Sequence, residues 1–116
     1  MIARLLLLSL ALVAAKDDPL AGRVAGKPVN CIDMDFVKGP QVVDAHTILY
    51  PQNGRRIWRT ETGGACPRLE PFATLVVGVY GKQLCRNDRF RVLTPGSSIP
   101  SGYCRIGGFT PYDRAR

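Results

Sequence analysis

The sequence is short of the residues from which most catalytic and metal sites are built. It holds one histidine, His46, and none of its serines stands in a G-x-S-x-G elbow. Glycine-rich phosphate loops, dinucleotide fingerprints and zincin motifs are missing. Apart from an apolar stretch at the N-terminus, no segment repeats its apolar residues with the 3.6-residue period of an amphipathic helix. There is no internal repeat and no low-complexity tract. The four cysteines, Cys31, Cys66, Cys85 and Cys104, include no close C-x2-C pair, the spacing that puts two sulfurs on one turn around zinc. These absences argue against serine hydrolases with an elbow, nucleotide enzymes, zinc ribbons and helical bundles. What remains to be read is export, sulfur, strand pattern and charge.

The chain opens "MIARLLLLSLALVAAKDD". Arg4 precedes an apolar stretch from Leu5 to Ala14, and small residues then give way to charge, the three-part layout of a secretory signal peptide. The apolar stretch falls short of the roughly 20 residues that span a bilayer, so no transmembrane anchor is expected after processing; the alternative is the same stretch kept as a tether. Val13 and Ala15 meet the small-x-small rule, so residues 1–15 read as the signal, with Lys16 first in the mature chain. That leaves about 100 residues, one small domain. A domain of this size buries only about 60–68% of its unfolded surface, a thin margin. In an exported protein thiols oxidise, and four cysteines make two disulfides, each worth about 2–4 kcal/mol. A reactive Cys85 beside Arg86 would need an unpaired thiol, and an even count leaves none over.

Residues 16–28, "KDDPLAGRVAGKP", mix charge, glycine and proline without a period and read as a flexible N-terminal arm. From Val29 to Pro111 the chain reads as a single β domain, followed by a tail over 112–116. In "NCIDMDFV" Ile32, Met34 and Phe36 alternate with polar positions, as in a half-buried strand. "QVVDAHTILYP" and "RRIWRTET" flank Asn53-Gly54, a hairpin signal because both residues tolerate the positive φ of a type I′ turn. "FATLVVGVY", nearly all apolar, reads as the central strand. "LCRNDRFRVL" reads as one strand with Phe90 and Val92 on one side and Arg89 and Arg91 on the other. "YCRIGGF" reads as a short last strand. Five or six short strands predict an all-β fold, a small antiparallel sheet or barrel with two disulfides.

If successive strands reverse direction, Cys31 and Cys85 start at one end of the sheet and Cys66 and Cys104 lie at the other. Cys66 and Cys85 are then separated by a nine-residue strand of roughly 25 Å, beyond the Cα separation of about 7 Å that a disulfide tolerates. The pairing Cys31–Cys85 with Cys66–Cys104 is favoured among the three that four cysteines allow.

Several pieces together, "CID" at Cys31, "VVDAHTIL" from Val42 to Leu49, "CPRL" at Cys66, "LCRND" from Leu84 to Asp88 and "CRIGGFTP" from Cys104 to Pro111, resemble a family of small exported bacterial proteins known only as a domain of unknown function. Met34, Asp35 and Phe36 stand where that family is usually more basic. The resemblance implies an envelope location and oxidised cysteines. It implies no reaction.

Asp44 and His46 lie two residues apart, and such a pair can orient a general base toward Ser97, Ser98 or Ser101. The plainer reading is an aspartate in a turn and a histidine at a strand start. Asp33 and Asp35 lack the cleft of a glycosidase and the alternating oxygen ligands of a hard-cation loop. Asp88 reads as a turn residue or a partner of Arg86 or Arg89. No catalytic group, metal ligand or cofactor is assigned. The one global signal is charge: 16 basic against nine acidic residues give +7. Arg55, Arg56 and Arg59 cluster at the hairpin and Arg86, Arg89 and Arg91 at the later strand. If these groups are neighbours they form one basic face, with Trp58 or Tyr50 nearby, that attracts anions.

The expectation is a non-enzymatic periplasmic or secreted protein that binds an anionic envelope component, with no specific nucleic acid among its partners. The first alternative is an inhibitor-like or interaction module of the periplasm that presents "TPGSSIPSG" or "GGACPRLEP" to another envelope protein. The second is a small hydrolase using Asp44 and His46.

Overall fold

Alternating inward and outward side chains build nine strands and no helix in the computed structural model, which describes residues 18–79 and 81–115. They are β1 (Arg23–Ala25), β2 (Cys31–Asp33), β3 (Gln41–Val42), β4 (Thr47–Pro51), β5 (Arg56–Thr62), β6 (Thr74–Val77), β7 (Gln83–Cys85), β8 (Arg89–Leu93) and β9 (Cys104–Arg114). The main sheet runs in the order β3-β4-β5-β9-β8-β6, with β1 also paired to β9, and curls into an antiparallel half-barrel; β2 and β7 form a separate ribbon. The all-β expectation therefore holds. The expected signal, residues 1–15, lies outside the described residues.

The spine is β9, not "FATLVVGVY". One edge of β9 pairs with β5 from Ile106 to Asp113, and the other meets β8 at Cys104 and Arg105, Val29 at Phe109, and β1 at Tyr112 to Arg114. β6, expected at the centre, is the last strand of the sheet and pairs only with β8. Two features hide the length of β9 in the sequence. Between the pairs Thr60↔Phe109 and Thr62↔Ile106 the register slips, so β9 carries one extra residue there. This bulge turns both Ile106 and Phe109 into the core although they are three apart. Gly107 makes it possible, because a Cβ at that position would run into the Glu61 carbonyl. The second feature is Pro111. Its carbonyl accepts from the Gly26 amide at 2.7 Å, and since N and O of a strand residue face the same edge, the missing donor falls on the Gly26 side and spares the β5 ladder.

The same pairing changes both ends of the domain. Arg23, Val24 and Ala25 face Arg114, Asp113 and Tyr112, so part of the expected arm and part of the expected tail form a strand pair with each other. The Arg23 guanidinium extends it, donating to the carbonyls of Arg55 at 2.7 Å and Tyr112 at 3.3 Å.

The inner face carries Ile48, Tyr50, Trp58, Phe90, Val92, Ile106 and Phe109, joined by Ile32 and Leu84 from the ribbon. Tyr50 meets Phe109 edge to face with ring centroids 6.3 Å apart, a favoured aromatic geometry. The disulfides join Cys31 to Cys85 and Cys66 to Cys104, and no cysteine is free. The pairing is the favoured one. The first bridge arises more simply than strand alternation supposed, since Cys31 and Cys85 are register partners within the β2-β7 ribbon. The second ties the 63–71 loop to the start of β9. Two disulfides fit an oxidising, extracytoplasmic environment. No helix among the described residues is long and apolar enough to cross a membrane.

Candidate functional site

The hairpin at Asn53-Gly54 forms, but not through a type I′ turn. Neither residue has a positive φ; instead the Asn53 side-chain oxygen accepts from the amides of Arg55 and Arg56 at 2.8 and 2.9 Å, an Asx-type closure. The three arginines expected to cluster here are dispersed by strand geometry. Arg56 and Arg59 are three apart on β5, so they point to opposite faces. Arg56 makes a bidentate pair with Asp113 at 2.7 and 2.8 Å and lies 5.2 Å from the Trp58 ring. The hydrogen bond to Arg56 is the leading cause that holds the Asp113 carboxyl below its ordinary range, and it raises the arginine in turn. Arg59 pairs with Glu61 at 2.9 Å. Arg55 is exposed on the loop. Tyr50 and Trp58, expected beside a basic face, are buried.

The second group also divides. "LCRNDRFRVL" is not one strand: Asn87 takes φ of 74°, and the chain turns at Arg86 to Asp88 between β7 and β8. Asp88 anchors that turn by accepting from the Cys85 amide at 2.7 Å. Arg86 is left on the turn, its amide bound to the Asn30 carbonyl. The two groups are not neighbours, because β9 stands between β5 and β8.

What β8 does bring together is Arg89, Arg91 and a residue not singled out from the sequence, Tyr103. Both guanidinium carbons lie over the Tyr103 ring, Arg89 at 4.9 Å and Arg91 at 4.2 Å from its centroid. Tyr103 is 59% exposed. Neither arginine belongs to an ion pair among the described residues, where the pairs are Arg56–Asp113, Arg59–Glu61 and Lys82–Asp35. Arg91 Nε is buried and has no hydrogen-bond partner there. Arg105, also unremarked in the sequence, is the register partner of Arg89 and adds a third cation to the same face. Arg89, Arg91 and Tyr103, with Val76, Val77 and Asp88, line an open cleft of about 450 Å³. Asp88 is its one acid, and one carboxylate oxygen is already committed to the Cys85 amide.

A signal for Tyr103 and Arg105 does exist in the sequence. They flank Cys104, whose buried bridge fixes its side chain inward, and the neighbours of an inward strand residue point outward. The chemistry available is oxyanion recognition. Arginine offers planar, paired donors matched to carboxylate, phosphate or sulfate, and the Tyr103 ring holds both heads in place through cation–π contact worth about 0.5–1 kcal/mol each at an exposed site.

Asp44 and His46 form a turn. The Asp44 carboxylate accepts from the His46 amide at 2.8 Å, the leading cause of its lowered pKa. Ser97 accepts from the Ile99 amide within its own loop, and Ser101 ties that loop to β8, its Oγ accepting from the Val92 amide at 2.9 Å. Among the described residues no three histidine, cysteine or acidic side chains are grouped as metal ligands would be.

Comparison with protein-family models, with curated proteins and with solved structures finds no match.

Proposed function

We propose that this chain is a non-enzymatic, periplasmic or secreted binding module, locked by its disulfides, that captures an anionic envelope component at the Arg89, Arg91 and Tyr103 cleft. The observation that carries this reading is two arginines without acidic partners, converging on one exposed tyrosine, with the buried Nε of Arg91 unmatched. A buried donor without an acceptor costs about 1–3 kcal/mol, so the fold carries Arg91 at some expense to its own stability. The net charge of +7 draws anions toward the surface without choosing a site; the cleft makes the choice. The resemblance to exported proteins of unknown function fits the same location.

The test is retention of the oxidised protein on immobilised heparin across a salt gradient. Arg89→Gln with Arg91→Gln is expected to weaken binding at least tenfold at low salt and to flatten its salt dependence. Arg55→Gln, Arg56→Gln and Arg59→Gln together, with two of their three charges already paired, are expected to weaken it less than threefold. Equal losses from the two sets would leave only diffuse charge and end the assignment of a site.

A further inference from the structure

We propose that β6 is a docking edge for an extended acidic segment of a partner protein, which adds as a strand beside Thr74–Val77 and lays its carboxylates over the arginine cleft. The inference rests on the anion-binding reading of that cleft and names what presents the anion.

Sheet edges in monomeric proteins are guarded by lysine, proline, bulges or brevity, because an unpaired row of N–H and C=O groups is a template for another strand. The edge at β3 is two residues long and follows directly on Pro40. The edge at β6 has no such guard. It reads "TLVV", without charge or proline, keeps regular register with β8 over all four residues, and pairs with no other strand among the described residues. Its outward side is open and uncharged: Thr74 is exposed and Val76 is 50% exposed.

Charge decides the occupant. Val76 is the register partner of Arg91, so both face the side on which Tyr103 lies. A strand added outside β6 places the residue opposite Val76 in line with Arg91, two strand spacings or about 10 Å away, a distance spanned by one glutamate and one arginine side chain. Acids at every second position keep to that face. A second copy of this chain is the poorer occupant, since each copy brings +7 and its own arginine cleft to the same face of the joined sheet. An acidic segment brings the complementary sign. Strand addition supplies backbone affinity and the cleft supplies the choice of side chain.

The test uses the oxidised chain and four synthetic heptapeptides. One alternates glutamate with valine or threonine; one replaces glutamate by glutamine; two keep glutamate but are N-methylated on the odd or the even amides. The expected result is at least tenfold tighter binding of the glutamate peptide than of the glutamine one, at least a tenfold loss in one of the two methylated forms, and slowed amide exchange at Thr74–Val77. If both methylated peptides bind like the parent, or if heparin binds through Arg89 and Arg91 while no peptide does, strand docking is overturned and the anion site stands. If neither heparin nor peptide binding responds to Arg89→Gln with Arg91→Gln, both readings fail. Slow exchange at β6 that depends on protein concentration without peptide assigns the edge to a second copy and overturns the inference.

Discussion

The two strands that pair with β9 on either side, β5 and β8, use arginine in opposite ways. At β5, Arg56 and Arg59 each meet an acid: Asp113 faces Arg56 as its register partner on β9, and Glu61 lies two residues along the same face from Arg59. At β8, Arg89 and Arg91 have the same spacing as Arg59 and Glu61 but no acid at the second position, and the strand beside them offers Arg105 and the neighbouring Tyr103 instead. The difference lies in the neighbours that register supplies. An arginine opposite an acid belongs to the scaffold, and one opposite another arginine keeps a charge that no acid of the sheet answers. The predictions below separate the two regions by what each loses on mutation.

The largest effect is expected from the core beneath the open region. Phe90 is fully buried between Arg89 and Arg91 in sequence, and Phe90→Ala should cost about 3–5 kcal/mol in chemical denaturation. Because β8 carries both arginines, heparin retention should fall with it. A loss of stability with retention intact would show that the cleft does not depend on this strand.

Next comes Tyr50, under the ion-paired region. Its hydroxyl is buried without a hydrogen-bond partner among the described residues, and burial pushes its pKa up to about 12 from 10.0. The folded chain thus holds the proton over a pH range in which the unfolded chain releases it. Stability is fully present below pH 10 and is lost as pH rises toward 12, by about 2–3 kcal/mol in all. Tyr50→Phe should remove this alkaline limb and leave stability at pH 7 within about 1 kcal/mol of the parent. An unchanged limb would place its cause elsewhere.

The ion pair itself should matter less. Arg56 and Asp113 are each about one-third exposed, and a pair so wetted contributes about 1 kcal/mol at most. The Asp113 carboxyl is held low, so this contribution is present above its unfolded pKa and is lost as pH falls below about 4. Arg56→Gln should abolish that acid-side loss and leave heparin retention nearly unchanged.

How much of this was legible in the sequence follows the same logic of register. Strand alternation identified the all-β class and the inward roles of Phe90 and Val92, and four cysteines placed along reversing strands favoured the observed disulfide pairing. The centre of the sheet was not legible. Gly107, Gly108 and Pro111 look like strand breakers, yet they form a bulge and a proline whose missing donor faces Gly26, so the longest strand read as a short one. "FATLVV" read as central because it is apolar, whereas its apolar side chains in part face outward at an edge. Asn87 ended β7 with a left-handed residue that alternation alone does not reveal. Arginine clusters counted along the chain ignored the parity that sends Arg56 and Arg59 to opposite faces. Tyr103 and Arg105 acquire their place only once Cys104 is known to point inward.

The smallest stability effect should accompany the largest functional one. Arg89→Gln with Arg91→Gln removes two cation–π contacts worth at most about 1 kcal/mol each. It also relieves repulsion between like charges stacked on one ring and beside Arg105, and shortens the chain that carries the unmatched Nε of Arg91. These terms oppose one another, so the unfolding free energy should change by no more than surface substitutions usually allow, about 0.5 kcal/mol. A scaffold role predicts the contrary, a clear drop in stability with retention following it in proportion. Measuring both quantities on the same protein, beside Arg56→Gln, decides which of the two uses of arginine operates at β8: a residue held by the fold for its own sake moves the denaturation curve, and one held for a ligand moves only the salt at which the protein elutes.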